Sequence, residues 1–174
     1  MQISIGTLTE ADWEMVCSIY KDGIETGDAT FEEAPPDWEE WNATHLSKCR
    51  IIARMEERVV GWAALSPVSS RCVYEGVAEV SIYVATPYWG MGVGKALLGT
   101  LIEASEEAGI WTLESSMFPE NERSLRLHRS LGFREVGFRE RIGQLDGKWR
   151  DTILMERRSK VIGTGSKDGA VSDM

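Results

Sequence analysis

Apolar and polar residues alternate at the start of the chain, where Ile3 and Ile5 sit among polar neighbours over Gln2–Thr7, and this period of two predicts a strand. The period then changes. Thr9-Glu-Ala-Asp12 has the form of a helix cap, an acid three residues after a threonine, and leads into Trp13, Val16, Cys17 and Tyr20 at helical spacing. Gly27–Pro36 is rich in turn residues, and its proline pair imposes extended backbone. A short helix is predicted over Trp38–Ser47, and Ile51–Met55 with Val59–Leu65 makes a hairpin around Glu56-Glu57-Arg58. Gly76–Val84 reads as a further central strand through Val77, Val80, Ile82 and Val84.

After a glycine-rich turn, Ala96, Leu97, Leu98, Leu101, Ile102 and Ala108 mark an amphipathic helix that ends at Gly109. Trp111–Met117 is a short strand, Asn121–Leu131 a helix stopped by Gly132, and Phe133–Arg139 another strand. Lys148–Met155 is the last strand, reached through the Asp146-Gly147 turn. From Ser159 onward Gly, Ser, Lys and Asp dominate, so residues 159–174 are expected to form a flexible tail behind a single domain over 1–158. Strands alternating with helices, with hairpins at both ends, give an α/β class with a mixed central sheet flanked by helices.

Composition narrows the function. With 43% hydrophobic and 27% charged residues, the chain is an ordinary globular protein. The net charge of −9 excludes nucleic acid as the expected partner. The charge is uneven: residues 1–70 hold five basic and thirteen acidic side chains, and residues 71–174 hold fourteen and fifteen. An anionic ligand meets less repulsion on the second part. Cys17, Cys49 and Cys72 are odd in number and widely spaced, which favours reduced thiols over a disulfide framework. Two histidines, His45 and His128, without a close cysteine pair are too few for a zinc site, so no metal is expected. The first residues lack a basic patch followed by an apolar run, and no apolar stretch approaches the roughly 20 residues that cross a bilayer. No membrane partner and a cytoplasmic location are expected.

The chemistry is concentrated in Ala78–Leu98, AEVSIYVATPYWGMGVGKALL, an apolar strand followed by a glycine-rich turn and a helix. Gly90, Gly92 and Gly94 let the backbone curl so that successive N–H groups aim at a pyrophosphate at a helix N-terminus. Two other phosphate loops fail. A Walker A loop before Gly94-Lys95 needs glycine at 89 and Ser or Thr at 96, where the chain has Trp89 and Ala96. A dinucleotide fold expects an acid ending a second strand about 20 residues on, and Glu106 and Glu107 fall within a helix.

The strand, loop and helix resemble the GNAT superfamily of acetyl-coenzyme A-dependent N-acetyltransferases. Its loop usually reads Gln/Arg-x-x-Gly-x-Gly/Ala, and here it is Trp89-Gly90-Met91-Gly92-Val93-Gly94. Trp89 removes one polar side chain; the backbone amides of Gly90–Lys95 remain. A second block, Asn121-x-x-Ser124-x-x-Leu127-His128-x-x-x-Gly132-Phe133, resembles the superfamily's late helix, with histidine where tyrosine is usual. The segments TFEEAPP (30–36), SSRCVYEGVAEVSIYV (69–84), FPENERSLRLHRSLGF (118–133) and DGKWRDTILMERRS (146–159) are similar to the phosphinothricin, methionine sulfoximine/sulfone and arsinothricin acetyltransferase group. The resemblance covers residues 1–158. It implies the GNAT fold, acetyl-CoA as co-substrate held by Ile82, Tyr83, Val84, Trp89–Lys95, Asn121 and Ser124, and a homodimer. It also implies transfer to the α-amine of a small amino-acid-like substrate, and so a role in herbicide or antibiotic resistance.

Two residues are candidates for catalysis. An α-ammonium must lose a proton before it attacks, and Glu79, an acid in an apolar strand, suits that acceptor. The alternative is a solvated carboxylate or an arginine pair. His128 matches the group's Leu-His position; it either packs, relays the amine proton or protonates the leaving thiolate. Arg71 is a candidate grip on an acidic end of the substrate, or a solvated hairpin arginine. Phe31 is a candidate wall of the substrate pocket, or a core residue, and Trp149 a pocket or subunit contact. The expected reaction is direct transfer, because no cysteine has a partnered base. The rivals are a peptide or protein N-terminal acetyltransferase and a non-catalytic acetyl-CoA sensor.

Overall fold

The structure is a computed structural model that describes residues 2–165. Seven strands form one sheet: β1 (Ile3–Thr7), β2 (Ile51–Met55), β3 (Arg58–Pro67), β4 (Val77–Val84), β5 (Thr112–Met117), β6 (Arg134–Leu145) and β7 (Lys148–Arg158), in the order β1-β2-β3-β4-β5-β7-β6. Neighbours are antiparallel except β4 and β5, which are joined by a helical crossover and run parallel. Four helices cover the faces: α1 (Trp13–Glu25), α2 (Trp38–Thr44), α3 (Val93–Glu107) and α4 (Glu122–Ser130).

Each face has its own apolar cluster. On one, Val93, Leu97, Leu98, Leu101 and Ile102 of α3 recur at helical spacing and pack on Ala63, Leu65, Ala78, Val80 and Leu113. On the other, Val16, Ile19 and Tyr20 of α1 and Trp41 of α2 pack on Ile52, Trp62 and Ala64. Rings stack through this second layer, Tyr20 on Tyr83 at 4.8 Å and Trp62 on Tyr83 at 4.9 Å. Strand β4 therefore sends Ala78 and Val80 under α3 and Glu79 and Tyr83 to the α1 side.

The expected elements all occur, and their ends differ for physical reasons. The Thr9 cap leads first into a short 3₁₀ turn, Glu10–Asp12, with the Asp12 carboxylate accepting from the Thr9 N–H at 2.9 Å. Helix α2 stops at Thr44 instead of Ser47, because His45 is extended and its ring nitrogen lies 2.8 Å from the Trp41 carbonyl. Strand β6 continues six residues beyond Arg139. It is an edge strand whose residues are nearly all exposed, and its pairing with β7 shifts register twice, so no buried face marks its length in the sequence. Packing also continues past Arg158: Ser159 is buried and its N–H donates to the Trp111 carbonyl at 2.8 Å. Of the expected tail, 159–165 are described, and 166–174 lie outside the described residues.

Candidate active site

The parallel pairing of β4 with β5 is short, and its shortness makes the site. Only Val77–Thr112, Ala78–Leu113 and Glu79–Glu114 are in register, although β4 runs on to Val84 and β5 to Met117. Beyond Glu79 the strands part, leaving one edge of Val80–Val84 without a paired strand among the described residues. Two cavities meet at the opening, of about 560 Å³ and about 380 Å³. Ala29, Ile82, Tyr83, Asn121 and Ser124 line both, so they are two lobes of one cleft.

The larger lobe holds every residue expected around the cofactor except Met91, which is exposed outside it. Its floor is the free edge of β4, and its far end is the start of α3. Gly90 and Gly92 both have positive φ, +76° and +86°, which only glycine adopts without strain. Gly92 caps α3 with no side-chain partner, so the first-turn N–H groups are left for a ligand. Gly94 is constrained differently: a Cβ there would lie 3.1 Å from the Leu127 side chain of α4, which would have to give by a few tenths of an ångström. The Trp89 indole donates to the Val84 carbonyl at 2.8 Å, and the Arg123 guanidinium stacks on its ring at 3.7 Å. Arg123, which sequence reasoning missed, lines this lobe and brings a cation beside the residue that lacks the family's polar side chain. Asn121 caps α4 by accepting from the Ser124 N–H.

The smaller lobe is assembled from side chains. Glu79 opens into it and stays accessible to solvent, yet its surroundings strip away enough water to raise its carboxyl above the usual range. Glu114, directly across in β5, adds to the rise, and Arg139 of β6 opposes it. His128 is 1% exposed. Its Nδ1 lies 2.8 Å from the Ser124 carbonyl, and a carbonyl can only accept, so Nδ1 carries the hydrogen. Burial lowers the imidazole's pKa and keeps it neutral, which leaves Nε2 a bare acceptor, buried without a protein partner on a residue that lines this lobe. Tyr20 joins the wall, its hydroxyl pushed up to about 12 by burial and then by Glu32.

Phe31 also lines the smaller lobe, edge-on to Phe118 at 4.8 Å. The segment carrying it is pinned by Arg150, which donates to the Gly27 carbonyl at 2.8 Å and pairs with Asp28 while lying 4.0 Å over Phe118. Arg71 stands apart, exposed on the turn after β3 with its guanidinium 5.6 Å over Tyr74, and is not among the lining residues. Trp149 is 59% exposed and lines neither lobe. Cys17 and Cys49 are half-buried and Cys72 exposed, all free. No group of three or more His, Cys, Asp or Glu able to hold a metal occurs among the described residues.

The family model described as the acetyltransferase (GNAT) family matches residues 13–133. The chain belongs to this family. Phosphinothricin N-acetyltransferase of Alcaligenes faecalis is 32% identical over 161 residues, covering 88% of this chain and 81% of that protein. The L-methionine sulfoximine/L-methionine sulfone acetyltransferase of Pseudomonas aeruginosa is 28% identical, covering 90% and 94%. Among solved structures, the phosphinothricin acetyltransferase of Sinorhizobium meliloti in complex with AcCoA is similar with a TM-score of 0.82 and 29% identity, covering 100% of this chain and 98% of that one. The mixed sheet is thus the GNAT fold, and the protein is an acetyl-CoA-dependent N-acetyltransferase. The larger lobe fits that co-substrate on its own geometry: a free strand edge for an amide-bearing arm, and uncapped helix N–H groups behind two left-handed glycines for a pyrophosphate.

Proposed function

We propose that the protein acetylates the α-amine of a small amino-acid-like acceptor of the phosphinothricin, methionine sulfoximine/sulfone or arsinothricin type, by direct transfer. One observation carries this reading: Glu79 and His128, the latter with an unpartnered Nε2, line the same small lobe, which shares walls with the acetyl-CoA lobe. Acetyl-CoA supplies the acetyl group and a thiol leaving group. Glu79 takes the ammonium proton, its raised pKa making it a stronger base than an ordinary carboxylate. Backbone N–H groups on the free edge of β4 polarise the carbonyl that is attacked. In its neutral tautomer His128 accepts through Nε2 and has no proton there to donate, so it holds or relays an amine proton and passes it on only after becoming protonated.

The lobe's volume of about 380 Å³, with Phe31 of the Arg150-pinned segment in its wall, suits a free amino acid better than a polypeptide, which would need a longer groove. For the acceptor's carboxylate, Arg139, an exposed cation whose charge acts on Glu79, and Arg71, exposed outside the walls, are the two candidate partners. We also infer a homodimer through the β6–β7 hairpin, where Val136, Phe138, Ile142 and Trp149 are exposed beside an open strand edge; a monomeric mass in sedimentation contradicts it. A panel of amino-acid analogues, polyamines and peptides tests the main reading. N-acetylation of methionine sulfone or phosphinothricin above the others is expected, and transfer only to peptides or polyamines overturns it.

A further inference from the structure

Two residues that line the smaller lobe each carry a buried side-chain atom with no partner in the protein. One atom is His128 Nε2. The other is the hydroxyl of Thr152, on β7, whose residue is 4% exposed. Thr152 sits opposite Arg139 of β6 and one residue beyond the last β5–β7 pair, Met117–Ile153, which brings it beside Phe118 at the strand opening. Its backbone is held by the sheet. Its hydroxyl is not, and a buried hydroxyl without a partner is costly to keep. Valine has the same shape without that cost, so strand packing alone gives no reason for threonine here.

The two orphan atoms differ in kind. The neutral imidazole offers only an acceptor at Nε2, and the hydroxyl adds a donor. A ligand that satisfies both brings an N–H and, at a second position, an oxygen. The α-amine supplies the first. The lobe's walls include Glu32 and Glu79 and neither Lys nor Arg. Arg139 of β6, opposite Thr152, acts on Glu79 from outside those walls as one cation against two carboxylates, and burial lowers the pKa of His45 in the same wall. An oxygen seated there is stabilised as part of an uncharged group and disfavoured as part of an anion.

We propose that Thr152 is a specificity-determining residue whose hydroxyl donates to an uncharged sulfonyl-type oxygen on the acceptor's side chain. It thereby favours a sulfone or sulfoximine over the thioether that lacks the oxygen and over a phosphinate anion. This rests on the preceding reading that the acceptor is a small α-amino acid.

The test compares kcat/KM for methionine sulfone, methionine and phosphinothricin at saturating acetyl-CoA, in the wild type, Thr152→Val and Thr152→Ser. The wild type is expected to prefer the sulfone to both others. Thr152→Val is expected to lower the sulfone-to-methionine ratio roughly tenfold, the scale of one neutral hydrogen bond, chiefly through the sulfone KM. Thr152→Ser, which keeps the hydroxyl, should retain the preference, and neither variant should change the acetyl-CoA KM. Thr152→Val should melt no lower than the wild type, since an isosteric change removes an unpaired buried group. Wild-type turnover of the sulfone with an unchanged ratio in Thr152→Val overturns the contact alone and leaves Thr152 holding only water. A wild type that prefers phosphinothricin overturns the charge argument. A wild type that acetylates none of the three overturns the acceptor reading, and this contact with it.

Discussion

The two lobes of the cleft are built from different material. The acetyl-CoA lobe takes nearly half of its lining from one continuous segment, Ile82–Lys95, and what that segment offers is mainly backbone: a free strand edge, two left-handed glycines and an uncapped helix start. The acceptor lobe is made of side chains from separate places: Tyr20 on α1, Phe31 on the following segment, Glu79 on β4, Ser115 on β5, His128 on α4 and Thr152 on β7. A backbone site tolerates side-chain change and so serves one ligand across a family. A side-chain site changes with each substitution, which is why the proposed function puts acceptor choice there.

The strongest way to break this contrast is Gly92→Val. A β-branched residue cannot hold φ of +86° without strain, so the start of α3 shifts and acetyl-CoA affinity should fall on the order of 10²-fold or more. Calorimetry that finds near-normal affinity, in a variant with normal circular dichroism, contradicts a backbone-built site.

The next effect sharpens the acceptor lobe. Glu114 faces Glu79 across the last β4–β5 pair and helps to raise it; Arg139 from β6 opposes. Glu32, His45, Tyr20 and His128 line the same lobe from other elements. In the proposed role of base, Glu79 must be ionised to take a proton, so kcat/KM is expected to fall on the acid side as pH drops through its raised pKa. Glu114→Gln removes a like charge, lowers that pKa and should move the acid limb to lower pH. A limb that stays in place, or moves up, contradicts the pairing.

The smallest effect belongs to Trp89→Ala. It removes a stack on Arg123 and a hydrogen bond to Val84, and should weaken acetyl-CoA binding only roughly two- to fivefold, the scale of an exposed cation–π contact. A loss as large as that of Gly92→Val would mean that the side chain, not the backbone, carries the loop.

The same contrast explains what was legible in the sequence. The strand, glycine loop and helix lie within about twenty consecutive residues, so their periodicity and glycine spacing expose the acetyl-CoA lobe directly. The acceptor lobe depends on distant segments meeting at a strand opening, which no local pattern records. Glu79 stood out as an acid in an apolar strand. Thr152 did not, because threonine is ordinary in a strand and only its missing partner distinguishes it. Glu114 became informative only once the register put it beside Glu79. Arg123 lay inside a motif block as a variable position, and its stack on Trp89 is a tertiary fact. The length of β6 was hidden because neither of its faces is buried.

The central claim is that Glu79, in the smaller lobe, is the base that readies the acceptor for acetyl-CoA in the adjoining one, and the pH dependence of kcat in Glu79→Gln tests it most directly. The variant should lose roughly 10²–10⁴-fold in turnover, the usual scale for a general base, and recover part of that at higher pH, where more amine is neutral unaided. Its acetyl-CoA affinity should be unchanged. It should melt no lower than the wild type at neutral pH: a carboxyl raised in the folded state adds stability only while protonated, and that contribution is lost as pH rises through its folded pKa. Full activity at neutral pH would contradict the claim outright, and loss without recovery at high pH would reassign Glu79 from proton transfer to holding the acceptor.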